Sequence, residues 1–322
     1  MSILRYQWIV EEIFQKQLRL KIFWITLPLF IVNSNLIQSQ SGLERFLTPS
    51  DTLNTKRRNA VVISEATLAT AALIGLDQLW YADYPRSKFK TTDDSKQWLQ
   101  MDKLGHMYSS YQLGKVGASV LSWSGANQKS QLIYGATVGL GFLTAVEVFD
   151  GFSEEWGFSW GDMAANAAGT GLYIGQELLW EEQRVLLKYS FHRTRFANQR
   201  PEKLGDGLFE EMLKDYNGQT YWLSANVNSF LKNENIPNWI NFAFGYGAEG
   251  MLTGNNETLN GQFDNQNRRR QFYLSLDIDF SRINTNSRLL RTLFDVFNLI
   301  KVPFPTISFD GKNGTKLHLI YF

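Results

Sequence analysis

The sequence predicts an α+β fold, in which a four-helix bundle with a polar interior precedes an antiparallel β-rich region. Residues 59–183 contain four long stretches rich in Ala, Gly and Leu, and none of these stretches contains proline. From residue 184 onward, apolar residues alternate with polar ones over several short segments. The first pattern is typical of helices and the second of half-buried strands. We therefore expect a helical domain over 59–183 and an antiparallel β-rich domain over 184–322.

Four helices are expected in the first region, separated by breaks at Pro85, Gly125 and Gly151. Their predicted bounds are 60–81, 101–122, 129–149 and 159–182. Small residues recur one turn apart, as at Gly135 and Gly139, and this spacing lets helix backbones approach closely. Each helix also carries a charged or amide side chain near its middle. This favours a compact bundle over a set of membrane spans.

About six strands are expected in the second region. The clearest alternation runs over 272–280, where aromatic and aliphatic residues take every second position. Two strands close the chain, near 306–309 and 316–322, and a turn at 310–314 joins them. A transmembrane barrel needs at least about eight strands. The sequence leaves open whether these strands form an open sheet, a partial barrel or a complete barrel.

The composition excludes several classes of protein. Of the 322 residues, 44% are hydrophobic and 20% are charged, which rules out a disordered chain and allows a sizeable core. The formal net charge of +1 gives no general attraction for nucleic acid, so no nucleic-acid partner is expected. The sequence contains no cysteine. Disulfides, thiol catalysis, thiolate metal sites and a lipid anchor on an N-terminal cysteine are therefore not expected.

The N-terminus is typical of an export signal. An apolar run at 22–37 follows three basic residues, Lys16, Arg19 and Lys21. The run is short for a membrane span and suits the hydrophobic region of a signal peptide. We predict a signal peptide over 1–40 and a linker over 41–58. An N-terminal anchor helix is the alternative.

The C-terminal strand also indicates the cell envelope. It alternates over 316–322 and ends on Phe322, which resembles the insertion signal of outer-membrane β-proteins. An aromatic side chain at a strand end suits the membrane interface. A soluble sheet that ends in phenylalanine is the alternative. Together with the export signal, this strand predicts an exported protein at the outer membrane or its periplasmic face.

Seven polar residues occur at helical spacing in otherwise apolar segments: Asp102, Lys103, His106, Glu147, Asp150, Asp162 and Asn166. Residues three or four apart share one face of a helix, which pairs Asp102 with His106 and Glu147 with Asp150. An unpaired buried charge is strongly unfavourable. We therefore expect these side chains to converge in the interior of the bundle.

Three interpretations of this polar cluster are open. The first is a structural network that fixes the register of the helices. The second is a metal site with Asp102, His106 and Glu147 as candidate ligands, which suit a hard or borderline divalent cation. The third is a hydrolytic or transfer site, with His106 as the base and Glu147 or Asp162 as its partner. No serine or cysteine nucleophile lies in a known motif, and no cofactor is predicted beyond the divalent metal.

Three motifs follow one another in the helical region: DKLGH at 102–106, EVFDG at 147–151 and GDMAANAAG at 161–169. Their order resembles the YfiM-like family of predicted periplasmic lipoproteins of unknown function. It is more distantly similar to VanZ-like membrane proteins, in which the motif lies on transmembrane helices. The resemblance covers about 55–185 and implies that the seven polar residues define the family, but it implies no established activity. The absence of cysteine departs from a lipoprotein.

The sequence thus predicts a non-enzymatic envelope component that associates with the outer membrane through its β-rich region. Its expected partners are outer-membrane lipid or envelope proteins. The alternative is a metal-dependent or acid/base hydrolase that acts on an envelope lipid or glycan, with His106, Glu147 and Asp162 as candidate catalytic residues. A helical membrane protein of the VanZ type is a third hypothesis, which Glu65 and Lys115 disfavour.

Overall fold

The computed structural model describes residues 42–81, 84–232, 235–255 and 267–322. The predicted signal peptide lies outside the described residues. The chain divides into two compact units. Of the described residues, the smaller unit contains 42–48 and 287–289, and in it the Glu44 carboxylate accepts hydrogen bonds from the Ser287 hydroxyl and the Arg288 amide. The larger unit contains the four long helices and the sheet.

Four long helices lie close to the predicted ones: α1 (Thr55–Leu76), α2 (Met101–Trp123), α3 (Val138–Gly151) and α4 (Trp160–Trp180). A π-helical turn, Asp77–Tyr81, extends α1. A single α-helical turn, Gln128–Ser130, and a π-helical turn, Gln131–Gly135, lead into α3. The side chains of Asn54 and Ser159 cap α1 and α4, because each accepts a hydrogen bond from the backbone N–H three residues further on.

Shorter helices follow later in the chain: α5 (Pro201–Leu204), α6 (Leu208–Lys214), α7 (Val227–Leu231) and α8 (Arg288–Phe297). Two short strands, β1 (Thr91–Thr92) and β2 (Phe158–Ser159), pair in parallel and tie the segment before α2 to the start of α4. The main sheet is antiparallel, and its six strands follow in chain order: β3 (Val185–Phe191), β4 (Gln219–Asn226), β5 (Ile240–Glu249), β6 (Arg269–Ile278), β7 (Phe304–Asp310) and β8 (Gly314–Tyr321).

The α+β prediction is therefore confirmed, and the sheet is open. Within the described residues β3 and β8 do not pair with each other, so the complete barrel that the sequence allowed is not formed. The outer edge of β3 instead meets the segment after α8. There the Tyr189 N–H donates to the Leu299 carbonyl at 3.1 Å, and the Lys301 N–H donates to the Tyr189 carbonyl at 2.9 Å. These bonds satisfy backbone groups that an edge strand would otherwise leave unpaired.

The long helices pack closely through glycines. A Cβ atom at Gly169 of α4 would lie 2.1 Å from the Met107 carbonyl oxygen of α2. A Cβ atom at Gly117 of α2 would lie 2.4 Å from the Gly135 carbonyl oxygen. Both distances are far shorter than a van der Waals contact, so only glycine allows these backbones to approach as they do. This close packing brings the starts of α2 and α4 together.

One face of the sheet is buried and mostly polar, and the other face is apolar and mostly exposed. Side chains on the buried face include Lys188, Ser224, Asn241, Ser275 and Asp277. The opposite face, termed here the apolar face, presents Leu223, Phe242, Phe244, Phe272, Leu274, Leu276, Ile307, Phe309, Leu317 and Leu319, which are exposed or half-buried. The strand register aligns one row of them across five adjacent strands: Leu223, Phe244, Leu274, Ile307 and Leu317.

The four long helices and the main sheet belong to the same compact unit, and the expected boundary at 183/184 falls between the end of α4 and the start of β3. Two described helices are long and apolar enough to cross a membrane by length and composition alone. They are Thr55–Leu76 and Gln128–Gly151. Core helices of soluble proteins meet the same criteria, so this observation alone assigns neither helix to a membrane.

Candidate functional site

The structure brings all seven polar residues together at three helix ends: Asp102, Lys103 and His106 at the start of α2, Glu147 and Asp150 at the end of α3, and Asp162 and Asn166 at the start of α4. Glu147, Asp162 and Asn166 are buried. The contacts described below connect all of these side chains except Asp150, which lies on the wall of the same cavity. Their predicted roles remain predictions.

A strained turn fixes where α2 begins. Trp98, Leu99 and Gln100 have φ angles of 48°, 50° and 66°, in the left-handed region that side chains other than glycine rarely occupy. Such residues cost on the order of 1–3 kcal/mol each and persist where surrounding contacts hold them. Here the Trp98 N–H donates to the Gly254 carbonyl at 2.8 Å, and the Tyr246 hydroxyl donates to the Leu99 carbonyl at 2.6 Å. The β-rich part of the chain therefore positions the first turn of α2.

His106 lies at the centre of the cluster. Its Nδ1 is 3.1 Å from Asn166 Oδ1, and because this oxygen can only accept, Nδ1 carries the proton of that bond. The other ring nitrogen, Nε2, faces three carboxylates. It is 3.6 Å from Glu147 Oε1, 3.9 Å from Asp162 Oδ1 and 4.0 Å from Asp102 Oδ1.

Lys103 forms a second centre beside the histidine. Its Nζ lies 2.7 Å from Asp94 Oδ2, 2.8 Å from Asp162 Oδ1 and 3.2 Å from Asp102 Oδ2. A lysine has three donors and no acceptor, so one ammonium can contact all three carboxylates. Lys103 thereby joins the loop before α2 to the start of α4.

Ser159 joins the acidic residues from the other side. Its backbone N–H donates to Glu147 Oε2 at 3.0 Å, and its hydroxyl donates to Asp94 Oδ1 at 2.6 Å. The same hydroxyl oxygen accepts a hydrogen bond from the Asp162 N–H at 3.1 Å, which caps α4. One oxygen of Glu147 is thus satisfied, while Oε1 accepts no hydrogen bond from any described residue.

Burial and neighbouring charges shift the ionisation of these groups. Burial raises the pKa of Glu147 to about 8 and that of Asp150 to about 6. Burial, followed by the charge of Asp102, raises the pKa of Asp162 to about 7. Burial opposes the charged forms of Asp102 and His106, but their mutual attraction and other opposite charges lower the pKa of Asp102 and raise that of His106.

The cluster lies on the wall of a cavity of about 480 Å³. Asp102, His106, Glu147 and Asp162 line it from the helical side. Four tyrosines line it as well: Tyr108, Tyr189, Tyr216 and Tyr221. A volume of this size is within the range of small-molecule sites.

Sequence reasoning missed three residues of the site. Tyr216 donates to Asp102 Oδ1 at 2.7 Å, and Tyr81 donates to Asp150 Oδ1 at 2.7 Å. Asp94 contacts both Lys103 and Ser159, as described above. Asp94 gave a weak signal, because it lies in a polar loop shortly before the first motif. Tyr216 gave none, since it follows α6 more than a hundred positions away from its partner.

The arrangement suits two kinds of chemistry. One atom each of Asp102, His106 and Asp162 lie within 4.8 Å of one another, and such a group could hold one metal ion. The predicted ligand set had Glu147 in place of Asp162. The carboxylic acids and imidazole around the cavity could also transfer protons to or from a bound substrate. Both uses require a ligand in the cavity.

Comparison with known families matches residues 91–175 to the family described as predicted periplasmic lipoprotein (DUF2279). No curated protein and no solved structure matches the chain. The match contains all three motifs and all seven polar residues, whereas the sheet lies outside it. The resemblance drawn from the motifs is therefore confirmed. Residues 91–175 are therefore similar to a family of predicted periplasmic lipoproteins, and this similarity supports an exported protein of the cell envelope.

Proposed function

We propose that the protein is a non-enzymatic envelope component that associates with the outer membrane through the apolar face of its sheet. One observation carries this proposal, namely that the buried face of the sheet is mostly polar, whereas the opposite face presents a row of exposed apolar side chains. An antiparallel sheet of a soluble protein does the reverse, with its apolar side against the core and its polar side in water. Strands that contact lipid have the arrangement found here.

The exposure of the apolar face is large. Leu317 and Leu319 of β8 have exposed fractions of 69% and 80%, and Phe242, Phe244 and Leu276 are exposed on the strands β5 and β6. Soluble monomers rarely expose contiguous apolar patches larger than a few hundred Å². A patch that extends over five strands is therefore expected to be covered in the cell.

Lipid is the occupant that the chemistry of this face favours. The row from Leu223 to Leu317 contains no charged residue. Phenylalanines accompany the aliphatic residues, and such purely apolar side chains suit the lipid-facing apolar band of membrane strands. A protein partner would be expected to meet a polar rim with hydrogen-bonding groups around an apolar centre. We therefore propose that a lipid bilayer covers the apolar face.

Vesicle flotation tests the proposal. The purified chain is mixed with vesicles of phosphatidylethanolamine and phosphatidylglycerol and centrifuged through a density gradient. We expect the protein to float with the vesicles, and Phe244→Asp with Leu317→Asp to weaken binding at least about tenfold, because a charge on a lipid face is unfavourable by a few kcal/mol. The matched control is Phe209→Asp on α6, since Phe209 is 82% exposed but lies outside the sheet.

Two outcomes would contradict the proposal. One is release of the whole protein with the soluble periplasm on osmotic shock, together with no flotation. The other is flotation that the two sheet variants leave unchanged.

A hydrolase acting on an envelope lipid or glycan is the second candidate. The observation that favours it is the convergence of His106, Glu147 and Asp162 on one cavity wall. Its test is to incubate the protein with an envelope extract and measure the release of fatty acids, headgroups and sugars. Release that His106→Gln abolishes and His192→Gln preserves would support this candidate. Absence of release would exclude it for the components of that extract.

A further inference from the structure

The charged side chains that line the cavity are mostly carboxylates. Among the described residues that line the cavity, no lysine or arginine occurs, whereas six are acidic: Asp94, Asp102, Glu147, Asp150, Glu155 and Asp162. Lys103 reaches three of these carboxylates from the side, and Glu155 pairs with Lys203. The side of the cluster that faces His106 Nε2 is therefore rich in oxygen atoms with negative charge.

The geometry of this side fits a single metal ion. Two ligand atoms that are each about 2.1 Å from one ion lie at most about 4.2 Å apart. His106 Nε2 is 3.9 Å from Asp162 Oδ1 and 4.0 Å from Asp102 Oδ1. These separations are too long for hydrogen bonds and within reach of a shared ion. The hydrogen bond from Nδ1 to Asn166 leaves the lone pair of Nε2 directed at the acids, which is the usual arrangement of a metal-binding histidine.

Glu147 supplies an independent observation. Its side chain is 1% exposed, yet Oε1 has no hydrogen-bond partner among the described residues. This oxygen lies 3.6 Å from His106 Nε2 and on the wall of the cavity. A buried carboxylate oxygen without a partner is strongly unfavourable. A cation in front of Nε2 would satisfy it.

The hydrogen bonds that Asp102 and Asp162 already accept are compatible with a bound ion. Tyr216 holds Asp102 Oδ1, and Lys103 holds Asp162 Oδ2 at 2.9 Å. Lys103 Nζ also lies 2.8 Å from Asp162 Oδ1, so both proposed ligand oxygens already have one contact each. Each carboxylate oxygen has a second lone pair with which it can bind an ion, while the existing contact orients the side chain. Such outer contacts accompany metal ligands in known sites.

We propose that the cavity binds one divalent transition-metal ion through His106 Nε2, Asp102 Oδ1 and Asp162 Oδ1, with Glu147 Oε1 beside it. One imidazole and several carboxylates suit Zn²⁺ or Mn²⁺ better than Ca²⁺ or Mg²⁺, which prefer oxygen ligands alone. Three protein ligands leave a coordination position open towards the cavity, as in catalytic rather than structural sites. The ion would lie in the cavity of the candidate hydrolase site, and its binding can be tested whether or not the protein is a hydrolase.

Metal titration tests the proposal. The full chain is dialysed against a chelator and titrated by calorimetry with Zn²⁺ and, separately, with Mn²⁺. We expect one ion per chain for at least one of the two metals. His106→Gln and Asp162→Asn should each weaken binding at least about tenfold, since the first removes the imidazole ligand and the second removes the carboxylate charge. His192→Gln is the matched control, because it removes a histidine outside the cavity.

Thermal unfolding provides a second measurement that does not depend on the titration. An ion that binds only the folded chain raises its midpoint by mass action. The midpoint of the wild type should rise with metal, and that of a folded His106→Gln variant should not. The proposal is overturned if neither metal binds, or if both ligand variants bind like the wild type. Phe244→Asp should bind metal normally, which separates this result from a failure of the membrane proposal.

Discussion

The Lys188 ammonium and the Asp277 carboxylate lie 2.9 Å apart on the buried face of the sheet, and neither side chain has any exposed surface. Asp277 also accepts hydrogen bonds from the Ser224 hydroxyl at 2.6 Å and from the Val302 N–H at 3.1 Å. This pair joins β3 to β6, which are not neighbours in the sheet. It shows that the polar face is a connected network, so that the apolar residues of the same strands are left for the outside.

Breaking this pair should destabilise the protein strongly. We expect Asp277→Ala to lower the free energy of unfolding by about 3–5 kcal/mol, because it leaves the buried Lys188 charge without its carboxylate and with only neutral oxygen partners. The double variant Lys188→Met with Asp277→Leu should lose less free energy of unfolding than the single variant. Urea unfolding in detergent measures both. Glu210→Ala is the control, since it breaks an exposed pair with Lys214, for which about 1 kcal/mol or less is expected. Equal losses in all variants would contradict the network.

Stability should rise with pH because of Lys301. Burial lowers the pKa of Lys301 to about 8, although the Asp277 charge raises it and the nearby Lys188 adds to the lowering. The unfolded chain has a lysine pKa of about 10.4 and binds the proton more tightly, so unfolding takes up a proton between these values. The free energy of unfolding should increase from pH 8 to about pH 10, by on the order of 2 kcal/mol.

The comparison with Lys301→Met isolates this contribution. The difference in free energy of unfolding between the wild type and the variant should change across that pH window. It should be constant below pH 7, where the lysine is charged in both states. A difference that does not vary with pH would show that Lys301 has an ordinary pKa.

Substitution of two α4 glycines by alanine should change the stability of the protein in opposite directions. Gly169→Ala places a Cβ 2.1 Å from the Met107 carbonyl oxygen, so α2 and α4 must separate. We expect this separation to lower the free energy of unfolding by about 1–3 kcal/mol. Gly171 is exposed, and no atom lies within 4 Å of the position that a Cβ would take there. Gly171→Ala should therefore stabilise the helix by about 0.5–1 kcal/mol. Thermal unfolding of the two variants measures this difference. A similar shift for both would contradict the close approach of the helices.

Tyr216 should increase the affinity of the proposed site for a metal ion. Tyr216→Phe removes the hydroxyl that donates to Asp102 Oδ1 at 2.7 Å, and loss of such an outer contact lowers metal affinity by about 10–100-fold. Tyr108→Phe is the matched control, because Tyr108 lines the same cavity but donates to the Leu299 carbonyl at 3.1 Å. Calorimetric titration with Zn²⁺ compares them. Equal affinity of the two variants would place Tyr216 outside the site.

Much of the fold follows from local patterns. The helices were predictable because glycine, proline and the polar turn residues interrupt four apolar stretches, and the structure places α1 to α4 near those bounds. The strands were predictable because period-two alternation needs no knowledge of neighbours. The side of the sheet that faces inward was not predictable, because alternation is the same whether the polar or the apolar set is buried.

The sequence by itself determined the α+β class, the family of the helical segment and the seven polar residues, since each of these depends on residue types at fixed spacing. Only the tertiary structure decided that His106 Nε2 faces Asp102, Glu147 and Asp162, and that Tyr216 joins them from another part of the chain. Spacing along a helix fixes which residues share a face. Which helix faces which, and at what distance, depends on close packing between segments far apart in sequence.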